Sequence, residues 1–105
     1  MRQDILTALM EVIESRKDDS PDRSYVASLH EQGVEVMSSK VVEEANETAQ
    51  AAEAGDIQQV VYETADLWFH SLVLLSRFDL THDSVLDELN RRFGVSGLEE
   101  KKSRS

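Results

Sequence analysis

The segment over residues 57–78 most constrains the fold of this chain, because it has helical spacing but almost no polar face. Val60, Leu67 and Leu74 recur on one side of a helical wheel, and Phe69 and Val73 lie on another. A helix that is apolar nearly all round must be covered on all sides, so we expect it at the centre of the molecule. A chain of 105 residues has few helices with which to cover it. We therefore predict that a second copy completes the bundle as a homodimer.

The rest of the chain also predicts helices, and no segment alternates as a strand does. A polar turn with Pro21 follows the first helix, and Gly33 ends the second. Gly55 ends the third helix, and Asp56 caps the central one. Thr81 caps the last helix. The predicted helices cover residues 2–16, 25–32, 34–54, 57–78 and 82–93, with Gly94 closing the last one.

These elements predict an all-α fold, a helical bundle of four to five helices completed by homodimerisation. We expect a single domain over residues 1–105. Within it, residues 1–23 form an N-terminal helix and linker, and residues 95–105 form a polar C-terminal tail.

The charge balance limits the partners of the chain, which has 21 acidic and 11 basic residues and a formal charge of −10. Nucleic acids and anionic membranes need a basic surface, so neither is an expected partner. The absence of cysteine excludes disulfides, thiolate metal sites and a cysteine nucleophile. The N-terminus lacks the apolar core of a signal peptide, and the most apolar window, residues 67–75, is too short to span a bilayer. We therefore expect a soluble, cytoplasmic protein.

Two pairs of acidic residues fall in register around the turn at Gly55. Glu47 lies eight residues before Gly55, and Glu63 lies eight residues after it. Glu44 and Asp66 lie eleven residues before and eleven after. In an antiparallel hairpin folded at this turn, each pair lies at one height, about 12 and 16 Å from the turn at 1.5 Å per residue. Four carboxylates then meet at two adjacent levels.

Two of these carboxylates fall beside core positions of their helices. Glu44 lies at the margin of an apolar face, and Glu63 lies between apolar positions of the central helix. Uncompensated carboxylates there would be costly or would be forced to protonate. A hard divalent cation removes this cost, and an all-oxygen ligand set is typical of Mg²⁺, with Mn²⁺ as a substitute. The predicted metal ligands are Glu44, Glu47, Glu63 and Asp66.

A solvated helix face competes with the metal site as an explanation, because an isolated EExxE motif on a helix is usually exposed. The register of the two pairs favours the metal site. A di-iron bundle is not favoured, since it would use ExxH pairs and the chain has none. His70 lies four residues after Asp66, and we expect this lone histidine to pack behind the ligands rather than bind the metal.

Four motifs carry a resemblance to a known family. They are SYVASLHEQG over residues 24–33, SKVVEEANE over 39–47, YETADLWFHSLVLL over 62–75 and SGLEEKKSR over 96–104. EExxE followed after 15 residues by ExxD is typical of the MazG-like all-α nucleoside-triphosphate pyrophosphohydrolases. The YExADLxxH and SGxEEKxSR segments, and the order of all four, resemble the phosphoribosyl-ATP pyrophosphohydrolase family of histidine biosynthesis over nearly the whole chain. Val42 stands where that family commonly has glycine, which leaves the acidic residues intact.

The resemblance implies hydrolysis of phosphoribosyl-ATP between its α and β phosphates, giving phosphoribosyl-AMP and pyrophosphate in the second step of histidine biosynthesis. It also implies magnesium dependence, a homodimer and the stand-alone form of the enzyme. Glu43 and Glu47 are then candidates for orienting or deprotonating the attacking water. Lys40, one turn before Glu44, is a candidate for binding a substrate phosphate. Lys101 and Arg104 are further phosphate-binding candidates on the resemblance alone.

Two other functions stay open at this point. One is a MazG-like enzyme that clears non-standard or excess nucleoside triphosphates, with the same metal site and a different base pocket. The other is a non-catalytic helical dimerisation module, in which the glutamates only keep the protein in solution.

Overall fold

The structure is a computed structural model that describes residues 5–93, and within this range the chain forms five α-helices. The helices are α1 (Ile5–Arg16), α2 (Tyr25–Gln32), α3 (Val34–Ala54), α4 (Ile57–Arg77) and α5 (His82–Arg92). Residues 5–93 contain no strand, so the predicted all-α class is confirmed. Helices α4 and α5 each end one residue earlier than predicted. Residues 2–4 of the predicted first helix, and Gly94, lie outside the described residues.

Local chemistry sets the end of α3 and the starts of α4 and α5 where the sequence predicted them. Gly55 follows α3 in the left-handed conformation, with φ of 71°, which glycine adopts without strain. The backbone N–H of Gln59 donates to the Asp56 carboxylate at 3.2 Å, which caps α4. The backbone N–H of Asp83 donates to the Thr81 hydroxyl at 3.2 Å, which caps α5. Each side chain satisfies a backbone donor that the first helical turn leaves without a partner.

Helices α3 and α4 form a long antiparallel hairpin on which the other helices pack. Each has 21 residues, and only Gly55 and Asp56 connect them. Helix α2 packs on α3, and α1 packs on α4. Ile13, Met37 and Val73 come from different helices and are each at most 1% exposed. Since Met37 lies in the first turn of α3 and Val73 lies late in α4, the core occupies the open end of the hairpin, away from its turn.

Helix α4 is only partly covered within one chain. Leu72 and Val73 on its inner side are buried, as the central position of this helix requires. On its outer side, however, Ile57 is 79% exposed, Val61 66% and Trp68 57%. Residues 5–93 of one chain therefore leave the outer side of α4 exposed, whereas the sequence predicted a helix that is covered on all sides in the assembled molecule. Among the described residues, no helix combines the length and apolarity needed to cross a bilayer.

Candidate metal site between helices α3 and α4

The hairpin brings acidic side chains of its two helices together at the edge of the core. Carboxylate oxygens of Glu44 on α3 and Asp66 on α4 lie within 4.8 Å of each other and of a ring nitrogen of His70. Oxygens of Glu43, Glu44 and Glu47 form a second group within the same distance. Glu44 belongs to both groups, so it lies at the centre of the cluster.

Glu63 joins this cluster from α4. Its carboxyl group is close enough to Glu44 and Glu47 for hydrogen bonds between the carboxyl groups to alter the pKa of Glu63. The four predicted ligands, two from each helix, therefore lie side by side, as equal spacing about Gly55 predicted. The hairpin supplies this register because an uninterrupted helix advances by a constant rise per residue.

Two oxygens in the cluster lack a hydrogen-bond partner. Within the described part of the chain, Glu44 Oε2 and Glu63 Oε2 are buried and accept no hydrogen bond. Glu44 as a whole is only 6% exposed. A buried polar atom without a partner carries a desolvation cost, and a functional role or an unseen ion is a common reason for it. These two oxygens, on facing helices, are suited to a cation placed between them.

The electrostatics of the cluster agree with this interpretation. Burial, followed by the neighbouring carboxyl groups of Glu47, Asp66 and Glu63, raises the pKa of Glu44 to about 8. Burial and then Glu47 also raise the pKa of Glu63. Without a cation, the folded protein therefore favours the protonated form of Glu44, a carboxyl group that is normally ionised at neutral pH. An all-oxygen set of this kind fits Mg²⁺ or Mn²⁺.

Glu43 lies at the outer edge of the cluster and is bound to a lysine. Its side chain is 51% exposed, and its Oε2 lies 3.4 Å from the Nζ of Lys40. This hydrogen bond is the main cause that raises the pKa of Lys40. The Lys40 side chain is 38% exposed, so it places a positive charge at the solvent side of the carboxylates. The predicted phosphate-binding residues Lys101 and Arg104 lie outside the described residues.

His70 lies beside Asp66 and contacts a residue that the sequence did not single out. Its Nδ1 lies 2.8 Å from the backbone carbonyl of Asp66 and 3.4 Å from Asp66 Oδ1. Its Nε2 lies 2.9 Å from the hydroxyl of Tyr25, the first residue of α2. Tyr25 is part of the SYVASLHEQG motif, but the motif does not reveal which helix the tyrosine ring contacts.

Comparisons with known proteins point to the same family along almost the whole chain. The family model described as phosphoribosyl-ATP pyrophosphohydrolase matches residues 6–93. A curated phosphoribosyl-ATP pyrophosphatase from Methylococcus capsulatus is 54% identical over 101 residues, covering 96% of this chain and 96% of that protein. Another, from Hydrogenovibrio crunogenus, is 49% identical and covers 100% of this chain and 96% of its own length. The prediction that the chain is an enzyme, a hydrolase, is thereby confirmed, and the chain belongs to the phosphoribosyl-ATP pyrophosphohydrolase family.

Proposed function

We propose that this chain hydrolyses phosphoribosyl-ATP between its α and β phosphates and releases phosphoribosyl-AMP and pyrophosphate, the second step of histidine biosynthesis. The relatives bear the name of this substrate. The observation that carries the proposal is the pair of buried oxygens, Glu44 Oε2 on α3 and Glu63 Oε2 on α4, which have no hydrogen-bond partner within residues 5–93. An anionic triphosphate cannot approach such a cluster unless a cation lies between them.

The four carboxylates Glu44, Glu47, Glu63 and Asp66 would hold the divalent cation, with Mg²⁺ as the expected ion and Mn²⁺ as a substitute. A bound Mg²⁺ supplies neutralisation of the phosphate charge and polarisation of the phosphorus that water attacks. The carboxylates themselves fix the position of the substrate phosphates relative to α3 and α4. Water adds its oxygen to the α or the β phosphorus, and its proton passes to a carboxylate. The bond between that phosphorus and the bridging oxygen breaks, and the bridging oxygen leaves with the other phosphate.

Two carboxylates are candidates for accepting that proton. Glu47 lies within the cluster, and Glu43 lies beside it, bound to Lys40. Their roles separate experimentally, because only Glu47 is also a proposed metal ligand. Glu43→Gln is expected to lower kcat by about 10²-fold or more while leaving Mg²⁺ affinity unchanged, if Glu43 is the base. If Glu47 is the base, Glu43→Gln leaves kcat nearly unchanged, and Glu47→Gln lowers both kcat and Mg²⁺ affinity.

Lys40 is the proposed contact for the substrate phosphates on the described part of the chain. Its ammonium group is partly exposed at the rim of the carboxylate cluster, where a phosphate oxygen can replace the Glu43 carboxylate as its partner. Lys101 and Arg104 are proposed to contribute further positive charge, on the family resemblance of the tail.

We also propose that the enzyme is a homodimer, assembled through the outer side of α4 and the apolar side of α5. The exposed side chains there include Val61 and Trp68 on α4 and Leu89 on α5. Exposed apolar area of this kind is typical of a protein interface. Analytical ultracentrifugation tests this arrangement: the wild type should sediment as a dimer, and Trp68→Glu should shift it toward monomer. A monomeric wild type would contradict it.

The substrate is tested by comparing pyrophosphate release from phosphoribosyl-ATP with release from a panel of ordinary nucleoside triphosphates. The proposal predicts a clear preference for phosphoribosyl-ATP, with phosphoribosyl-AMP as the second product. Similar or higher turnover of ordinary nucleoside triphosphates would instead identify a MazG-like enzyme that clears nucleotides.

The carboxylate cluster is tested with the double variant Glu44→Gln/Glu63→Gln. We expect it to lose magnesium-dependent pyrophosphate release while its helical circular dichroism stays unchanged. The matched control is Glu53→Gln, an exposed glutamate on the same helix outside the cluster, which should keep wild-type activity. Full activity of the double variant would overturn the metal site, and inactivity of the wild type on every nucleotide would favour a dimerisation module.

A further inference from the structure

An aromatic ring lies at the edge of the carboxylate cluster with part of its surface uncovered. The hydroxyl of Tyr25 lies 2.9 Å from Nε2 of His70. A ring nitrogen of His70 lies within 4.8 Å of carboxylate oxygens of Glu44 and Asp66. A single side chain therefore separates Tyr25 from two proposed metal ligands, yet Tyr25 is 50% exposed.

The contacts of the Tyr25 ring show which side of it is uncovered. The ring is stacked on Phe69, with centroids 6.3 Å apart and an interplanar angle of 17°. The His70 ring stands nearly perpendicular to it at 5.7 Å, next to the Tyr25 hydroxyl. These contacts leave the side of the ring away from Phe69 as its exposed surface within residues 5–93. An aromatic surface of this kind beside a polar site is suited to binding a flat ligand.

The ring is also held in place before any ligand binds. Tyr25 begins α2 directly after Ser24, whose hydroxyl accepts from the backbone N–H of Ala27 at 3.1 Å and fixes this helix end. Phe69 supports the ring from one side, and the hydrogen bond to His70 fixes its far end. A side chain that is already fixed loses little conformational freedom on binding, which favours affinity.

The groups proposed to bind the metal and the phosphates lie close to the same ring. Burial is the main cause that raises the pKa of Tyr25, so the phenol is uncharged at neutral pH. The charges that also act on it are those of Lys40, Asp66, Glu44 and Glu43. In a nucleotide, one ribose separates the base from the α phosphate. A nucleotide with its phosphates at the cluster and at Lys40 can therefore reach the Tyr25 ring with its base.

We propose that Tyr25 binds the adenine of the substrate by stacking against it, so that the site selects a nucleotide rather than a bare polyphosphate. This inference rests on the proposed function and assigns a contact that the carboxylates and Lys40 do not provide. Aromatic side chains bind bases in this way because every base has a π-face. The ring, rather than its hydroxyl, is the group that contacts the substrate.

Three variants separate the ring from the hydroxyl and from tyrosines in general. Tyr25→Leu removes the aromatic surface and the hydroxyl, whereas Tyr25→Phe removes the hydroxyl alone. Tyr62→Leu is the matched control, because Tyr62 is the only other tyrosine of the chain and is 65% exposed. Helical circular dichroism of each variant should match that of the wild type.

Binding is measured by calorimetry in the presence of Mg²⁺, with the two products phosphoribosyl-AMP and pyrophosphate as separate probes. Only phosphoribosyl-AMP carries the base. Tyr25→Leu is expected to raise the Kd for phosphoribosyl-AMP by about tenfold to a hundredfold and to leave that for pyrophosphate within about twofold. Tyr25→Phe and Tyr62→Leu should bind both products as the wild type does.

The stacking itself is tested by nuclear magnetic resonance on the wild type with labelled tyrosines, whose Tyr25 signals are assigned with Tyr25→Phe. A base stacked on the ring shifts the ring protons upfield. We expect this shift on addition of phosphoribosyl-AMP and not on addition of pyrophosphate. Unshifted Tyr25 signals in the saturated phosphoribosyl-AMP complex would overturn the inference.

The calorimetric outcomes also distinguish stacking from a structural role. Equal losses for both products in Tyr25→Leu would overturn it, since Tyr25 would then act through the carboxylates. An equal loss of phosphoribosyl-AMP binding in Tyr25→Phe would assign the effect to the hydroxyl and overturn it too. So would an unchanged Tyr25→Leu.

Failure of this inference and failure of the proposed function look different. A wild type that hydrolyses phosphoribosyl-ATP, with Tyr25→Leu binding phosphoribosyl-AMP normally, overturns the stacking role alone. A wild type that binds phosphoribosyl-AMP through Tyr25 but does not hydrolyse phosphoribosyl-ATP overturns the proposed function and supports the base contact. A wild type that binds neither product overturns both.

Discussion

Glu44→Gln is expected to stabilise the metal-free protein at neutral pH, although it removes a proposed metal ligand. The pKa of Glu44 rises from 4.5 to about 8 on folding, mainly through burial. Between these two values the folded chain binds a proton that the unfolded chain releases, so stability falls as the pH rises through this window. At pH 7 the linkage relation gives a cost of roughly 3 kcal/mol for the wild type.

Glutamine removes this cost because it is neutral and nearly the same size. Its amide group can also donate to carboxyl oxygens of the side chains beside it, among them Glu47 and Asp66. We expect a gain of about 1–3 kcal/mol in the free energy of unfolding at pH 7, shrinking toward zero near pH 4.5. Urea unfolding followed by helical circular dichroism, in a chelator and at one protein concentration, measures this difference.

Saturation with Mg²⁺ should reverse the order of stability, so that the wild type becomes more stable than Glu44→Gln. At 100 times its dissociation constant, a ligand of the folded state stabilises by about 2.7 kcal/mol, and only the wild type has all four proposed metal ligands. The control Glu53→Gln, on an exposed position of α3, should change stability by less than about 0.5 kcal/mol. A destabilised Glu44→Gln at pH 7 in chelator, or a gain that does not depend on pH, would refute the electrostatic reasoning.

Three further variants test other parts of the molecule. Gly55→Ala should lower the free energy of unfolding by about 1 kcal/mol in urea titrations, because φ is 71° although the added Cβ meets no atom within 4 Å; an unchanged stability would contradict the left-handed helix end. Met37→Ala should cost about 2–5 kcal/mol by the same measurement, since Met37 is 1% exposed in the core, and a loss below 1 kcal/mol would contradict that position. Lys40→Met should raise KM for phosphoribosyl-ATP about tenfold while calorimetry shows unchanged Mg²⁺ affinity; an unchanged KM would remove Lys40 from phosphate binding.

The helices were predictable because their ends are local. Gly55, Asp56 and Thr81 act on backbone groups within a few residues, so the sequence alone locates the turn and the caps. The meeting of Glu44 with Asp66 was predictable for a related reason. Once Gly55 sets the turn, the constant rise of an α-helix brings residues at equal distance from it to the same height.

The contact between Tyr25 and His70 was not predictable in this way. The two residues are 45 positions apart, and their hydrogen bond depends on how the short helix α2 crosses the hairpin. Crossing angles follow from the packing of many side chains at once, which no local motif encodes. The uncovered outer side of α4 is similar, since the sequence shows that the helix is apolar but not what covers it.

Several expectations stay predictions. They include the single domain with its N-terminal linker and C-terminal tail, the homodimer, the cytoplasmic location and the phosphate-binding roles of Lys101 and Arg104. The two residues of the tail are best tested by their own substitutions, Lys101→Ala and Arg104→Ala, with KM for phosphoribosyl-ATP as the readout. An unchanged KM in both variants would remove the tail from the substrate site.

The most direct test of the central claim is pyrophosphate release from phosphoribosyl-ATP by the wild-type protein, measured with Mg²⁺ and again after the metal is removed by a chelator. Four carboxylates that bind a cation for a triphosphate substrate predict rapid release with Mg²⁺, no release in the chelator, and recovery when Mg²⁺ or Mn²⁺ is added back. Equal release with and without a divalent cation would contradict the claim, because the reaction would then not need the cation that the carboxylates are proposed to bind.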